Sequence, residues 1–391
     1  MTQAAWGASG LAWLTGRPEG PADFSRAAVL QRCGQRLARF TAATGVAADA
    51  GQLLAGRAGL LGFTRAGRIS AGGASRLLAA ADGWWALTLS RPDDIDAVPA
   101  LIESDGAQPW DAIAAWAARR SVSEAVERAR LLDLPAAALG ETAAGAPVIR
   151  RTGVAGPGRG VRGALVVDLT ALWAGPLCGQ LLAQAGATVV KVESPSRPDG
   201  TRRGPSAFFD WMNAGKLSCS LDFDHDAQTL AQLLAAADVV LEGSRPAALA
   251  RRGLGPFDVA GRPGRVWLQI TAHGAGSGYP GFGDDAAVAG GLVGSDGRGG
   301  PVFCADAIAD PLTGIEAAVH VVDALARGGG EVITLALSAV AAGYTALPCQ
   351  AGSSAAPVLA PTPPPIAARG PALGADNARI AQLVAHAEAQ C

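Results

Sequence analysis

The sequence lacks the residue spacings that most metal and redox sites need. Its four histidines fall in no HxxxH or HExxH spacing, and its six cysteines are scattered without a CxxC pair. Such spacings bring two side chains close enough together to bind the same zinc ion. Because they are missing, we expect no metal site. Scattered cysteines in a long chain are typical of reduced thiols, which indicates a cytoplasmic location and no disulfide framework.

Long apolar runs and an excess of one charge are missing as well. Hydrophobic residues make up 49 % of the chain. We expect no membrane-spanning helix, which requires roughly 18 or more consecutive apolar residues. The amino-terminal segment has no basic region, so we expect no signal peptide. The 32 basic and 34 acidic side chains nearly balance, and nothing favours binding to nucleic acid.

What is present, after residue 163, is an alternation of strand-like and helix-like segments. Short apolar runs lie at 164–170, 188–193, 238–243 and 265–271, and helical patterns lie between them at 174–187 and 227–237. Strands that alternate with helices predict crossover connections and a parallel sheet. The first strand-to-helix turn lacks GxGxxG and the chain lacks GxxxxGK[ST], so neither motif supports a nucleotide cofactor. We predict an α/β fold with a doubly wound, mostly parallel, Rossmann-like sheet domain.

A Gly- and Pro-rich stretch at 141–163 divides the chain. It lacks a hydrophobic period and is predicted to be a linker. Residues 1–140 before it are predicted to form a smaller α/β domain, and residues 164–391 after it the sheet domain. A Pro-rich segment at 350–375 is predicted to run as an extended strap across the surface.

Within the predicted small domain, two segments have clear local patterns. Residues 84–89 are predicted to form a strand after a turn. Residues 111–130 suit two short helices, and Ser121 or Ser123 is the predicted cap of the second.

Asp310 directly precedes Pro311, where a helical pattern over 311–326 begins. An Asp before a Pro at this place is typical of a helix cap. The amino-terminal end of a helix also favours an ionised carboxylate. The pattern therefore predicts a cap, and a reactive carboxylate is compatible with it.

The segment VVDLTALWAGPLCGQLLAQAGATVVKVE (166–193) resembles the opening of the family III CoA-transferases, which include formyl-CoA transferase and alpha-methylacyl-CoA racemase. Further matches follow in family order, in the N-x-x-K-x-S-x-x-L-D stretch at 213–222, in 237–255 and in 301–325. The resemblance implies a transferase that takes a coenzyme A thioester as substrate and binds no permanent cofactor. Its partners would be an acyl-CoA donor and a carboxylic acid acceptor.

The amino-terminal part resembles the same family, but out of order. ASGLAWLTG (8–16) and the segment 68–94 are similar to stretches that normally follow the sheet. The chain thus looks like a permuted member, with the small domain first, and we expect this domain to pack over the carboxyl ends of the strands. The resemblance also implies a homodimer, or a pairing with a paralogous subunit.

The resemblance gives Asp310 the role of the family's nucleophile, whose carboxylate attacks the thioester to form a mixed anhydride. Asp306 is expected to be an ordinary loop residue. Gly72 and Gly73 match a glycine-rich loop that lies over the active site in formyl-CoA transferase. Trp173 stands beside the expected acyl site, where its bulk would favour an apolar acyl group.

Basic residues of the matched segments are candidates for binding the 3′-phosphate and pyrophosphate of CoA. They are Lys191, Lys216, Arg202, Arg203, Arg245 and Arg251. Arg251 matches a CoA-contacting arginine of the family best. For each of them, a solvated surface charge is the alternative interpretation.

Two other functions stay open. The racemase branch needs a His in a G-H-D motif as a second acid/base. Here that position falls on Gly283 or Asp284, which favours a transferase. A racemase-like enolisation would use Asp284 or Asp285 together with Asp310. The other alternative is a non-catalytic CoA-binding subunit that retains the fold.

Overall fold

The computed structural model of the chain describes residues 2–104, 108–243, 248–260, 262–274 and 276–388. Its helices are α1 (Thr2–Ala8), α2 (Leu11–Leu14), α3 (Ala28–Thr44), α4 (Ala50–Leu61), α5 (Pro92–Asp96), α6 (Val98–Ile102), α7 (Pro109–Ala117), α8 (Val122–Leu131), α9 (Ala174–Gln184), α10 (Ser206–Asn213), α11 (Ala227–Ala236), α12 (Gly283–Ala289), α13 (Ala309–Ala326), α14 (Leu337–Thr345) and α15 (Asn377–Glu388). Its strands are β1 (Ser75–Ala79), β2 (Trp84–Thr88), β3 (Ala136–Ala138), β4 (Val148–Arg151), β5 (Leu165–Leu169), β6 (Thr188–Glu193), β7 (Leu217–Ser220), β8 (Val239–Glu242), β9 (Val266–Thr271), β10 (Val293–Ser295), β11 (Pro301–Phe303) and β12 (Glu331–Ala336).

A seven-stranded sheet with the order β4-β12-β9-β8-β5-β6-β7 forms the centre of the molecule. All neighbouring strands are parallel except β4, which pairs antiparallel with β12. The first parallel strand in the sequence is β5. The chain adds β6 and β7 on one side of it, and then crosses back to add β8, β9 and β12 on the other side. This reversal makes the sheet doubly wound. The predicted fold class is confirmed.

Both faces of the sheet are covered by helices, which explains the continuous apolar runs of its strands. Val166 and Val239 point into a core shared with α9 and α13. The alternate residues Val167 and Val240 point into a second core with α11 and α15. The sheet therefore holds the start of α13 at a fixed place beside its carboxyl edge.

The boundary of the small domain differs from the prediction. Helices α1 to α4 belong to the sheet domain, because Trp6, Phe40 and Leu54 are buried in the same core as α9 and α13. The smaller domain comprises the antiparallel sheet β1-β2-β3 and helices α5 to α8 around a core of its own. Ser121 caps α8, as one of the two predicted alternatives, and accepts a hydrogen bond from the Glu124 N–H.

The predicted linker supplies a strand of the large sheet. All four residues of β4 are exposed, and backbone hydrogen bonds to β12 hold this strand at the sheet edge. An exposed edge strand needs no hydrophobic period, so the pattern over 141–163 did not reveal it.

The Pro-rich segment at 350–375 contains no helix or strand and runs over the surface, as predicted. The Leu359 N–H donates to the Gly7 carbonyl, and the Gly370 N–H donates to Asp210. These contacts tie α1 to the rest of the sheet domain.

Candidate active site

Asp310 lies in the first turn of α13, one residue after the helix begins. The predicted cap is wrong, since Ile308 takes the cap position and no side chain caps the helix. The Asp310 side chain is partly exposed. Within the described residues, no group donates a hydrogen bond to its carboxylate. The carboxylate is therefore available to a ligand.

The loop before α13 is strained and held by two side chains. Ala305 and Ala307 have φ angles of 56° and 42°, a left-handed conformation that is costly for residues other than glycine. The Ala305 N–H donates to Thr15 Oγ1 at 3.0 Å, and the Ala307 N–H donates to Asp284 Oδ1 at 3.0 Å. Asp306 lies between these two residues.

Asp306 is paired with an arginine from the amino-terminal helices. Its side chain is 1 % exposed, and Arg57 Nη1 lies 2.8 Å from its Oδ1. A buried carboxylate needs such a partner because desolvation of an unpaired charge is costly. The expectation of an ordinary loop residue at 306 is wrong. Arg57 was not predicted, although a lone charge in the apolar helix AGQLLAGRAGLL is a signal for it.

Three aromatic rings surround the Arg57 guanidinium. Its Cζ lies 5.4 Å from the ring centroids of Phe63, Trp173 and Phe208, a distance typical of cation–π contacts. Trp173 packs edge-on against Phe208 and is 2 % exposed. Trp173 packs against the arginine, and its ring is too deeply buried to line an open acyl pocket, which corrects the expectation of a residue beside the acyl site.

Four carboxylates share this region, and they affect one another. Burial raises the pKa of Asp310 to about 7, the Arg57 charge opposes this shift, and Asp284, Asp285 and Asp306 add to it. Burial also raises the pKa of Asp306 to about 6. The expectation that the helix terminus keeps Asp310 fully ionised is therefore corrected, because burial and the neighbouring negative charges outweigh the helix dipole.

The small domain meets this carboxylate cluster through two hydroxyl groups. Ser75 Oγ donates to Asp284 Oδ2 at 3.1 Å, and Thr88 Oγ1 donates to Asp285 Oδ1 at 3.0 Å. The two hydroxyl oxygens lie 2.8 Å from each other, so both contacts belong to one polar cluster. Strands β1 and β2 thus pack against the start of α12.

No histidine takes the place of a second acid/base in the described site. A Cβ on Gly283 would lie 2.5 Å from Asp310 Oδ2 and 2.4 Å from the Ala307 carbonyl oxygen, so an imidazole does not fit there. His273 lies 3.9 Å from Asp285, and burial lowers its pKa to about 4. A neutral, displaced histidine does not provide the racemase motif.

The glycine-rich loop lies over the arginine. A Cβ on Gly72 would be 3.5 Å from Arg57 Nη2, and Gly73 has a φ of 81°, which favours glycine. The structure thus brings Gly72 to the same site as Asp310 and Arg57.

Lys191 and Lys216 do not reach a surface that a CoA phosphate could contact. Lys191 Nζ lies 2.8 Å from Asp199, Lys216 Nζ lies 2.9 Å from Asp168, and all four side chains are 0 % exposed. The prediction that these lysines bind CoA is corrected: each compensates a buried carboxylate instead.

The predicted arginines have different surroundings. Arg202 forms hydrogen bonds to both oxygens of Glu193 and stacks over Phe209 at 4.1 Å, so its guanidinium is engaged within the protein. Arg203 and Arg251 are exposed, and a role for Arg251 in CoA binding stays a prediction. Arg245 lies outside the described residues.

Two negative findings apply to the part of the chain that the structure describes. In it, no three His, Cys, Asp or Glu side chains are arranged to hold a metal ion. None of its helices is long and apolar enough to cross a membrane.

The chain is similar to one known family and to several individual proteins. The model of one family, described as CoA-transferase family III, matches residues 161–376. The beta subunit of succinyl-CoA–L-malate CoA-transferase from Chloroflexus aurantiacus is 34 % identical over 196 residues, which cover 45 % of this chain and 48 % of that protein. A probable fatty acyl-CoA transferase from Mycobacterium tuberculosis is 37 % identical over 129 residues, 30 % of this chain and 33 % of that protein.

Two further matches each cover nearly half of this chain. Formyl-CoA:oxalate CoA-transferase from Afipia carboxidovorans is 30 % identical over 202 residues, 46 % of each chain. The crystal structure of the mycobacterial protein aligns with a TM-score of 0.45 and 32 % identity, over 49 % of this chain and 58 % of that one. The chain spans less than half the length of each of the three curated relatives.

Proposed function

The chain belongs to CoA-transferase family III, and from this premise we propose that it transfers CoA from an acyl-CoA donor to a free carboxylic acid, with Asp310 as the nucleophile. One observation carries the proposal. The Asp310 carboxylate has no hydrogen-bond donor among the described residues, and it lies in the family-matched segment beside the positive charge of Arg57.

In the first half of the proposed reaction, an Asp310 oxygen attacks the thioester carbonyl carbon of the donor. The carbon–sulfur bond breaks, CoA leaves as a thiolate, and a mixed anhydride of Asp310 and the acyl group forms. The thiolate then attacks the Asp310 carbonyl carbon of the anhydride. The donor acid leaves as a carboxylate, and Asp310 is left as a CoA thioester.

The second half runs the same steps in reverse with the acceptor. Its carboxylate attacks the Asp310 thioester and expels the thiolate, which gives the acceptor anhydride. The thiolate then attacks the acceptor carbonyl carbon, releasing the new acyl-CoA and the Asp310 carboxylate. No net proton transfer is required. This suits a site where Asp284 and Asp285 already accept hydrogen bonds from protein groups.

The substrates are proposed by class only. The names of the three relatives refer to a malate, a fatty acyl group and an oxalate, each in a CoA-transfer reaction. Because these acids differ widely, the proposal is limited to an acyl-CoA donor and a carboxylic acid acceptor. A homodimer, or a pairing with a paralogous subunit, stays part of the proposal, and native mass spectrometry measures it.

A transfer assay tests the proposal. Purified protein is mixed with a panel of acyl-CoA donors and free acids, and new acyl-CoA species are measured by liquid chromatography and mass spectrometry. Asp310→Asn should reduce transfer to background. Asp323→Asn, on the same helix but in an ion pair with Arg39, is the matched control and should transfer normally.

Other outcomes would point to the alternatives. Near wild-type transfer by Asp310→Asn would refute Asp310 as the nucleophile. Deuterium incorporation at the α-carbon without transfer would indicate a racemase. Binding of CoA without either reaction would indicate a non-catalytic subunit.

A further inference from the structure

Arg57 has hydrogen-bonding capacity that the described residues leave unused. A guanidinium carries five N–H donors, and the Arg57 side chain makes one hydrogen bond within the described residues, from Nη1 to Asp306. The side chain is 24 % exposed, so part of it is accessible to a ligand.

Three aromatic rings pack around this guanidinium and restrict its movement. Phe63, Trp173 and Phe208 lie at equal distances of 5.4 Å from its Cζ, and Asp306 Oδ1 accepts a hydrogen bond from its Nη1. A planar group fixed in this way presents its remaining edge in a defined direction, which is the geometry that binds a carboxylate through two hydrogen bonds. Apolar walls also reduce the competition from water.

Gly72 lies next to the Nη2 group of the guanidinium. A Cβ on Gly72 would lie 3.5 Å from Nη2, so a larger side chain there would fill the approach to the guanidinium. The Arg57 charge acts on Asp284, Asp306 and Asp310 alike, which places this cation within the carboxylate cluster.

An anionic substrate needs a positive charge in such a site. A free carboxylic acid enters as a carboxylate, and the ionised aspartates around the Asp310 thioester repel it. Arg57 is the cation whose charge acts on the Asp310 carboxylate in the described structure. It comes from α4, outside the matched segment 161–376, so the resemblance to the family did not reveal it.

We propose that Arg57 binds the carboxylate of the free acid, both when the donor acid leaves and when the acceptor acid enters. This rests on the proposed function, since it assigns the acid subsite of the same reaction. The ligand class is a carboxylate that offers two oxygens to the free edge of the guanidinium, beside the Asp310 thioester.

The test measures binding without turnover. In an Asp310→Asn background the side chain is neutral, like the aspartyl thioester, and no transfer takes place. Ligand-observed NMR then follows the titration of butyrate, with butyramide as its neutral isostere. We expect butyrate to bind at least about 10-fold more tightly than butyramide, because only the carboxylate is attracted by the guanidinium.

Variants at position 57 and one matched control complete the experiment. Arg57→Gln should weaken butyrate binding at least about 10-fold, and Arg57→Lys should weaken it less, because an ammonium keeps the charge but loses the two-pronged contact. Arg36→Gln removes the ion pair of Arg36 with Glu316, which joins α3 to α13, and it should leave butyrate binding unchanged.

The proposal would be overturned if Arg57→Gln bound butyrate as tightly as the protein that retains Arg57. It would also be overturned if butyramide bound as tightly as butyrate. If Arg57→Gln fails to fold because Asp306 is left unpaired, Arg57→Gln/Asp306→Asn removes both charges and takes its place. A protein that binds butyrate through Arg57 but transfers no CoA would refute the proposed function and leave the carboxylate site standing.

Discussion

Gly283 lies directly against the carboxylate of Asp310, so closely that a Cβ on Gly283 would come within 2.5 Å of Asp310 Oδ2. The same Cβ would come within 2.4 Å of the Ala307 carbonyl oxygen, in the loop that precedes α13. Real Cβ atoms do not approach other atoms this closely, so a side chain at 283 must displace the loop or the carboxylate. The glycine is therefore a requirement for the position of Asp310.

Gly283→Ala is expected to lower kcat of CoA transfer at least about 10-fold, since small misplacements of reacting groups have large effects on rate. It should also destabilise the protein by about 1–3 kcal/mol, as overpacking typically does. Gly343→Ala is the control, because a Cβ at 343 meets no atom within 4 Å. Steady-state rates and denaturant unfolding measure both effects, and wild-type transfer by Gly283→Ala would contradict the described contact.

The rate of transfer should depend on pH through Asp310. The carboxylate must be ionised to attack, and burial raises its pKa to about 7. We expect kcat/KM to rise with pH through about 7 and to level off above it. Because the Arg57 charge lowers the pKa of Asp310, Arg57→Gln should move this limb to higher pH. A pH profile that is flat between 5 and 9 would mean that Asp310 does not titrate in this range.

Asp310 should also cost the protein stability at neutral and higher pH. Its pKa in the folded state lies above its ordinary value of 3.8, so the folded state binds the proton more tightly than the unfolded state. The free energy of unfolding therefore falls as pH rises from about 4 to above 7. Asp310→Asn removes this loss and should be more stable than wild type at pH 8, by up to about 4 kcal/mol.

This difference between Asp310→Asn and wild type should disappear near pH 4, where Asp310 is protonated in the native protein. Denaturant titrations at the two pH values measure it. A variant that is less stable than wild type at pH 8 would instead indicate that Asp310 stabilises the helix start.

Lys216 is expected to act on stability and not on CoA affinity. Lys216→Met leaves Asp168 buried without its partner, which should cost about 3–5 kcal/mol of unfolding free energy. Lys216→Met/Asp168→Leu removes both charges and should recover much of that loss. If Lys216→Met folds with wild-type stability and weakens CoA binding, the structural role assigned to the pair is wrong.

Arg251→Ala is expected to weaken CoA binding with little change in stability, because the residue is exposed. The loss should be largest at low salt, where charge contacts are least screened. Arg32→Ala, which removes an exposed arginine from α3, provides the control. Unchanged CoA affinity of Arg251→Ala at low salt would remove Arg251 from the site.

The sheet was predictable because its strands are buried on both faces. Continuous apolar runs located β5, β6, β8 and β9 within one residue at each end. Strand β4 was missed because all four of its residues are exposed and it pairs with β12 through backbone hydrogen bonds. Local pattern does not show what a helix packs against, and for this reason the helices before residue 62 were assigned to the wrong domain.

The site was predictable only where the chain resembles its family. That resemblance predicted Asp310 and Gly72 as site residues, but Arg57 and Asp306 lie 249 positions apart, and only the fold brings them together. Lys216 was assigned to CoA because a buried, paired lysine looks the same in sequence as an exposed one. Burial and pairing over long distances are properties of the folded chain.

Trapping of the covalent intermediate tests the central claim most directly. The protein is incubated with hydroxylamine and an acyl-CoA that serves as donor, and the peptide containing Asp306 and Asp310 is analysed by mass spectrometry. The account predicts inactivation that requires acyl-CoA, with a hydroxamate at Asp310 and none at Asp306, because both the anhydride and the thioester of Asp310 acylate hydroxylamine. Continued CoA transfer without a modified Asp310, or a hydroxamate at Asp306 instead, would contradict it.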